Sequence, residues 1–234
     1  MNPVAPFQLP RVTLIDRDNW ILEKSSGKKV LHAGCTDNML THSKVGKEAL
    51  LHKKLTDTCL DVTGIDIDGD GIEFLQSHFG FDNIVHGNIE KLDALFPEGS
   101  FDIILAADVM EHLNNPGLFL EAAEKVLKRG GELIITVPNA FSFKKFLGVF
   151  LFRQERNHPD HVCFYSLMNL HQLLHRYGFD VSESRTFMIV DPNKRKINVI
   201  ANYVADIAMK LFRNANVADE WAIVAKRYSD LKDS

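Results

Sequence analysis

From Lys29 onward, short runs of aliphatic and β-branched residues alternate with stretches whose apolar positions recur at helical spacing. That alternation constrains the fold more than any other feature. Consecutive parallel strands need a crossover, usually a helix, so strand and helix signals must take turns along the chain. Strands are predicted at Val30–Ala33, Val62–Ile65, Ile84–Val85, Asp102–Ala106, Leu133–Val137, Val181–Val190 and Trp221–Ala225. Ile72, Leu75 and Phe79 predict a helix that Gly80 stops. Asn115-Pro116 through Lys128-Arg129-Gly130 reads as a second, with a cap, a proline in the first turn, basic residues in the last turn and a closing glycine. Further helices are expected from Ser166 to Tyr177 and over 196–212, where Ile200, Tyr203, Ile207 and Leu211 share a face. The fold class is α/β, a doubly wound parallel sheet with helices on both faces.

Composition narrows the setting. A chain of 234 residues with 45% hydrophobic content is expected to make a single domain over 1–234, and disorder is excluded. The net charge of −4 gives no general pull toward nucleic acid or anionic lipid. Cys35, Cys59 and Cys163 are odd in number and scattered, which points to a reducing compartment. The first ten residues hold three prolines and no apolar core. The most apolar stretch, Phe146 to Phe152, is far shorter than the ~20 residues that span a bilayer. A cytoplasmic location and no transmembrane segment are expected.

In open α/β sheets ligands bind beyond the carboxyl ends of the strands. The residues there are Ala33 and Gly34-Cys35-Thr36-Asp37-Asn38, then Asp66-Ile67-Asp68, Gly87-Asn88-Ile89, Ala107-Asp108 with Glu111-His112, and Pro138-Asn139. Together they predict one polar crevice. Gly-x-Gly-x-x-Gly is absent, and the only Tyr-x-x-x-Lys spacing, Tyr228 to Lys232, lies in the charged tail, so a nicotinamide dehydrogenase is disfavoured.

The order and spacing of Val30-Leu31-His32-Ala33-Gly34-Cys35, Gly64-Ile65-Asp66-Ile67, Gly87-Asn88-Ile89, Phe101-Asp102-Ile103-Ile104, Val109-Met110-Glu111-His112-Leu113 and Gly130-Gly131-Glu132-Leu133 through Val137-Pro138-Asn139 resemble the class I S-adenosylmethionine-dependent methyltransferases. His161-Val162-Cys163-Phe164-Tyr165-Ser166, then a helix and Gly178-Phe179, resembles the ubiquinone-biosynthesis type within them. The resemblance implies a Rossmann-like, seven-stranded sheet, mostly parallel, ending in an antiparallel hairpin. It implies S-adenosylmethionine as cofactor, held by Ala33, Gly34, Cys35, Asp66, Ile67, Asn88, Ile89 and Ala107. In it Gly34 lets the backbone approach the cofactor, Asp66 meets the ribose hydroxyls, Asn88 reaches the adenine and Ile89 packs on its ring. The acceptor implied is an oxygen, less readily a nitrogen, of a small molecule or glycan.

This sequence also departs from the family. His32 stands where an acidic residue is usual, and Thr36 and Asn38 replace later glycines. Asn88 replaces the more frequent aspartate, and residues 41–56 lengthen the first crossover. These changes keep a non-enzymatic scaffold in view as a rival. His32 is expected to be a packed strand-end residue. Asp66-Ile67-Asp68-Gly69-Asp70-Gly71 imitates an EF-hand loop, but its twelfth position is Ser77 and a strand precedes it. The better reading is a ribose-binding Asp66, then Asp70 or a neighbour capping the next helix.

Asp108, Glu111, His112 and His161 form a second constellation. Spaced i, i+3 and i+4, the first three could share a helical face and hold a divalent metal with His161. That set resembles the metal-dependent small-RNA 2′-O-methyltransferases, so a metal-assisted RNA reaction is an alternative, although the chain has no basic excess to bind RNA. The same residues also read as a capping box, Asp108 capping and Glu111 reaching back. His161 is in addition a candidate general base or substrate contact. Residues 1–28 are expected to cover the site, with 141–160 and 191–216 as lids or insertions. Asp16, Arg17 and Trp20 read as ordinary surface or packing residues. The apolar stretch 141–152, with Lys144 and Lys145, suits a lid, an oligomer interface or a membrane-surface contact.

Overall fold

The computed structural model describes residues 7–36, 50–155, 157–189, 203–207, 209–211 and 213–228. Asp37, Asn38 and Ile200 fall outside them, as do residues 191–202 of the second expected lid. In chain order the elements are α1 (Arg17–Ser25), β1 (Lys29–Ala33), α2 (Leu51–Thr58), β2 (Asp61–Asp66), α3 (Gly69–Phe79) and β3 (Ile84–His86). There follow α4 (Leu92–Leu95), β4 (Phe101–Ala107), α5 (Pro116–Val126), β5 (Leu127–Pro138), α6 (Phe143–Phe152), α7 (Leu167–Arg176), β6 (Phe179–Phe187) and β7 (Glu220–Arg227).

The strands form one seven-stranded sheet in the order β3-β2-β1-β4-β5-β7-β6. β1 to β5 are parallel, and β7 runs antiparallel to both β5 and β6. This is the expected Rossmann-like sheet with its antiparallel terminal pair. The strand order reverses between β1 and β4, which places the crevice of an open α/β sheet beyond their carboxyl ends. Ala33 lies level with Ile65 on one side and Ala106 on the other, so the candidate residues leave the sheet at one height.

Period-2 alternation sorts the strand residues into two cores. Leu31, Ala33, Ile104 and Ala106 meet Phe119, Leu120 and Ala123 of α5 and Leu167, Leu170 and Leu174 of α7. Their neighbours Val30, Ile103 and Leu105 point the other way, onto Trp20 and Ile21 of α1 and Leu51 and Leu55 of α2. Trp20 is thus a core residue that also donates its indole N–H to Glu183, and Asp16 caps α1.

Two local expectations change and one is made specific. The α5 helix ends at Val126 rather than running on to Gly130, because Leu127 already pairs with Phe101 of β4 and is fully buried in the sheet. Lys128-Arg129-Gly130 looks like a helix terminus only because basic residues and a left-handed glycine also suit a bulged strand start. The expected cap of α3 by Asp70 or a neighbour is made by Asp68, which accepts the Gly71 amide at 3.1 Å. In the segment 203–211, Ala205 and Met209 turn inward, while Tyr203, Ile207 and Leu211 of the expected apolar face stay exposed. Along α6 every residue is at least partly exposed, and Phe146, Phe150, Leu151 and Phe152 are more than half exposed. No helix among the described residues is long and apolar enough to cross a membrane.

Candidate active site

The first half of the site is built on backbone. Gly34 follows β1 with φ +73, and a Cβ placed on it would stand 2.5 Å from Cγ2 of Val109. Only glycine meets both demands. Its amide donates to Ile65 at 2.9 Å, so the loop starts by folding over the end of β2. Two residues later, Thr36 donates its amide and its hydroxyl to Oδ2 of Asp66, at 3.0 and 2.9 Å. The amide of Asp68 donates to Oδ1 at 3.0 Å. Three donors therefore aim the carboxylate, leaving one of its roughly four acceptor positions for a ligand hydroxyl. Thr36, which reads in sequence as a lost glycine, is the residue that positions Asp66.

The neighbouring ledge carries Ile67, 71% exposed, and the exposed Asn88, whose Oδ1 accepts the Glu90 amide at 2.9 Å. Ile89 is turned into the core at 6% exposure and forms the floor there, so the apolar side chain presented at this ledge is Ile67. Cys35 is buried with its Sγ toward Gly64, and Ala107 ends β4 half-buried. His32 packs as expected: its Nδ1 lies 3.2 Å from Nδ1 of His52, the two rings stacked and both buried. Burial pushes His52 down to about 4, so its ring is neutral beneath the loop at pH 7.

The second half is built on buried side chains. Asp108 takes a left-handed φ of 56 at the turn out of β4. Its carboxylate accepts Thr136 Oγ1 at 2.6 Å and pairs with Arg17 at 3.1 Å. Val109, not Asp108, precedes the short 3₁₀ turn Met110–His112, and no side chain caps it. The capping-box reading is therefore corrected. Asp108, held by Arg17 and Thr136, is also near enough for its charge to act on Glu111 and His161. Arg17, read as an ordinary residue, is part of the site.

Glu111 is 1% exposed, and neither carboxylate oxygen has a hydrogen-bond partner. Burial, and then the Asp108 charge, push it up to about 8, so at pH 7 the carboxyl is mostly protonated. Its carbonyl accepts the amides of Val162 and Cys163 at 2.9 and 3.1 Å, and Tyr165 donates its hydroxyl to Met110 at 3.3 Å. Those bonds strap the His161–Ser166 run onto the turn after β4. They bring Nε2 of His161 to 3.9 Å from Oε1 of Glu111. Burial and the neighbouring histidines hold His161 below its ordinary value, and its Nδ1 is buried without a partner.

Beside the histidines lies a cavity of about 480 Å³ lined by Phe141, Phe143, Phe146, Val149, Phe164 and Val217, with Lys145 and Glu155 among its polar groups. Lys145 sits over the Phe164 ring at 4.9 Å, and burial pushes its ammonium down against the pull of Glu220, Asp219 and Glu111. Asn139 does not face the crevice. It is fully buried and donates to the carbonyls of Asn216 and Ala218 at 2.8 and 2.9 Å, tying β5 to the segment before β7.

A seven-stranded, doubly wound sheet with a glycine turn after β1 and an anchored acid after β2 defines a nucleoside-cofactor-binding α/β class. The chain belongs to the methyltransferase-domain family, whose sequence profile matches residues 14–184. Its fold and its relatives are those of S-adenosylmethionine-dependent methyltransferases. It is 32% identical over 130 residues to the mitochondrial ubiquinone biosynthesis O-methyltransferase of Rattus norvegicus, covering 53% of this chain and 34% of that one. It is 26% identical over 164 residues to a probable S-adenosylmethionine-dependent methyltransferase of Mycolicibacterium smegmatis, covering 70% and 56%. The chain thus spans between about a third and just over half of these relatives. The crystal structure of a methyltransferase from Archaeoglobus fulgidus shares the fold with a TM-score of 0.56 at 18% identity, covering 90% of this chain and 94% of that one.

Proposed function

We propose that the protein transfers a methyl group from S-adenosylmethionine to a hydroxyl oxygen of a small molecule with an apolar or aromatic body. The observation that carries this is the join between the two halves. The Asp66 ledge lies past β2 and the Glu111–His161 pair past β4 on the same carboxyl edge of the sheet, one strand apart, and Phe164 of the phenylalanine-lined cavity has its ring 6.3 Å from that of His161. Asp66, Asn88, Ile67 and the Gly34 backbone hold the cofactor, which supplies an already electrophilic methyl group. The protein's share is alignment, exclusion of water and removal of the acceptor's proton. His161 is the group placed to take that proton, since its imidazole is neutral and next to the apolar cavity. The relatives named for ubiquinone O-methylation support oxygen as the acceptor atom, and the apolar walls favour a ring- or chain-bearing acceptor over a glycan.

Calorimetry with S-adenosylmethionine, followed by a mass-spectrometric screen of hydroxylated aromatic acceptors, tests the proposal. Wild type should bind the cofactor and methylate members of the screen, while His161→Ala keeps cofactor affinity and loses about 100-fold or more in turnover. Absence of cofactor binding, or full turnover in His161→Ala, would overturn it.

A further inference from the structure

We propose that the cavity between the N-terminal strap and the segment before β7 is a second ligand site, which takes the phosphate group of a small soluble molecule on Arg11 and Arg213. Two stretches of chain enclose about 370 Å³ there, residues 7–12 on one wall and 213–216 on the other. That volume falls in the range of ordinary small-molecule sites. The cavity shares no lining residue with the phenylalanine-lined one.

Charge decides what the cavity takes. Arg11 and Arg213 both line it, and no acidic side chain among the described residues does. Elsewhere Arg17, Arg185 and Arg227 are matched to carboxylates. Arg11 and Arg213 are exposed and have no ion pair among the described residues, although the chain as a whole carries a net charge of −4. Each guanidinium presents a planar fork of donors that fits phosphate oxygens, and a phosphate monoester at neutral pH brings enough negative charge to answer both. A single carboxylate answers only one. Phe7, Leu9 and Val12 give the strap's wall an apolar surface for the body that carries the phosphate.

The two walls are joined to each other and lead to the reaction side. Asn216 is 9% exposed and donates its Nδ2 to the Pro10 carbonyl at 3.2 Å and to Oδ1 of Asn214 at 2.9 Å, so one side chain ties strap to segment. Arg213 holds a left-handed φ of 48, which non-glycine residues seldom adopt, and that turn sets it on the cavity wall. Past Arg11 the strap pairs with β6, where Thr13 and Ile15 bond Thr186, and then brings Arg17 to Asp108. Past Asn216 the other wall places Val217 in the phenylalanine-lined cavity. A phosphate held by both arginines therefore pins two covers of the site at once, whereas their like charges alone oppose that closure. The step from pinned covers to tighter acceptor binding rests on the function proposed above; the phosphate site does not.

The test titrates the full chain in a calorimeter with inorganic phosphate and with phenyl phosphate at constant ionic strength. One phenyl phosphate per chain should bind in the micromolar range and more tightly than inorganic phosphate. Arg11→Gln and Arg213→Gln should each weaken it by about 10-fold or more, the value of a hydrogen bond between charged groups. Arg176→Gln, which alters an exposed arginine on α7, should change nothing. Phenyl phosphate should also slow hydrogen exchange at the amides of 7–12 and 213–217, a readout that needs neither cofactor nor acceptor. No saturable binding, or unaltered affinity in the two arginine variants, overturns the proposal. Flotation of the protein with phosphatidic-acid vesicles that is lost in those variants overturns the soluble ligand in favour of a lipid headgroup. S-adenosylmethionine titrated into the same samples separates the two readings: a chain that binds phenyl phosphate and no cofactor keeps this site and loses the methyltransferase function, and the reverse result sinks this site alone.

Discussion

The two halves of the site are made differently. Around Asp66 and Asn88 the side-chain oxygens are aimed from within the chain, largely by backbone amides. Beyond β4, both oxygens of Glu111, Oε2 of Glu220 and Nδ1 of His161 are buried without partners, and burial pushes both glutamates up. A cofactor common to a whole enzyme class can be met by fixed backbone geometry. On the proposed function, an acceptor would be met by side chains whose hydrogen bonds are completed when it arrives, at the expense of the resting protein's stability at that spot. Substitutions in the first half should therefore cost stability or cofactor affinity together with function. In the second half, stability and function should move in opposite directions.

The largest effect concerns the support of the first half. The folded state holds His52 at about 4, whereas an unfolded histidine titrates near 6.5, so between these values the unfolded chain binds more protons. Stability from this group is full above pH 6.5 and falls as pH drops toward 4, by about 3 kcal/mol. Urea denaturation at pH 7, 5.5 and 4.5 should show the loss, and His52→Phe should flatten that part of the curve. The same slope in both proteins would remove the histidine pair from the support. Next, Asp66→Ala should weaken S-adenosylmethionine binding by about 10- to 100-fold in calorimetry, the value of a hydrogen bond to a charged group. In the second half, Glu111→Met removes two unpartnered buried oxygens at similar volume. It should raise stability by about 1–2 kcal/mol in thermal melts while abolishing methyl transfer. A loss of stability there would mean the carboxyl is partnered in solution and would erase the contrast.

The same contrast explains what sequence could disclose. The sheet was legible because period-2 and helical spacing are local, and the two cores of β4 follow from Ile103 and Ile104 being neighbours. Gly34 and Asp66 were legible because each sits one step past a strand in an ordered series. The second half is assembled across the chain. Arg17 meets Asp108 from the N-terminal helix, and Thr136 meets it from β5, so no spacing rule could foresee that Asp108 is taken. The end of α5 was misplaced because Lys128-Arg129-Gly130 satisfies helix-terminus rules, while the burial of Leu127 in the sheet decides the matter from outside the local sequence.

Thr36→Val gives the smallest effect and the sharpest test of backbone aiming. The substitution removes one of three donors to Asp66, the Thr36 hydroxyl, and keeps the amides of Thr36 and Asp68. Losing a hydrogen bond to a carboxylate should lower stability by about 1 kcal/mol. If the amides alone aim the carboxylate, S-adenosylmethionine affinity stays within about threefold of wild type, because the freed acceptor position can serve the second ribose hydroxyl. A tenfold weakening would show that this half, too, depends on a side chain for its geometry, and the division between a backbone-built and a side-chain-built half would fail at the residue where it is most exposed.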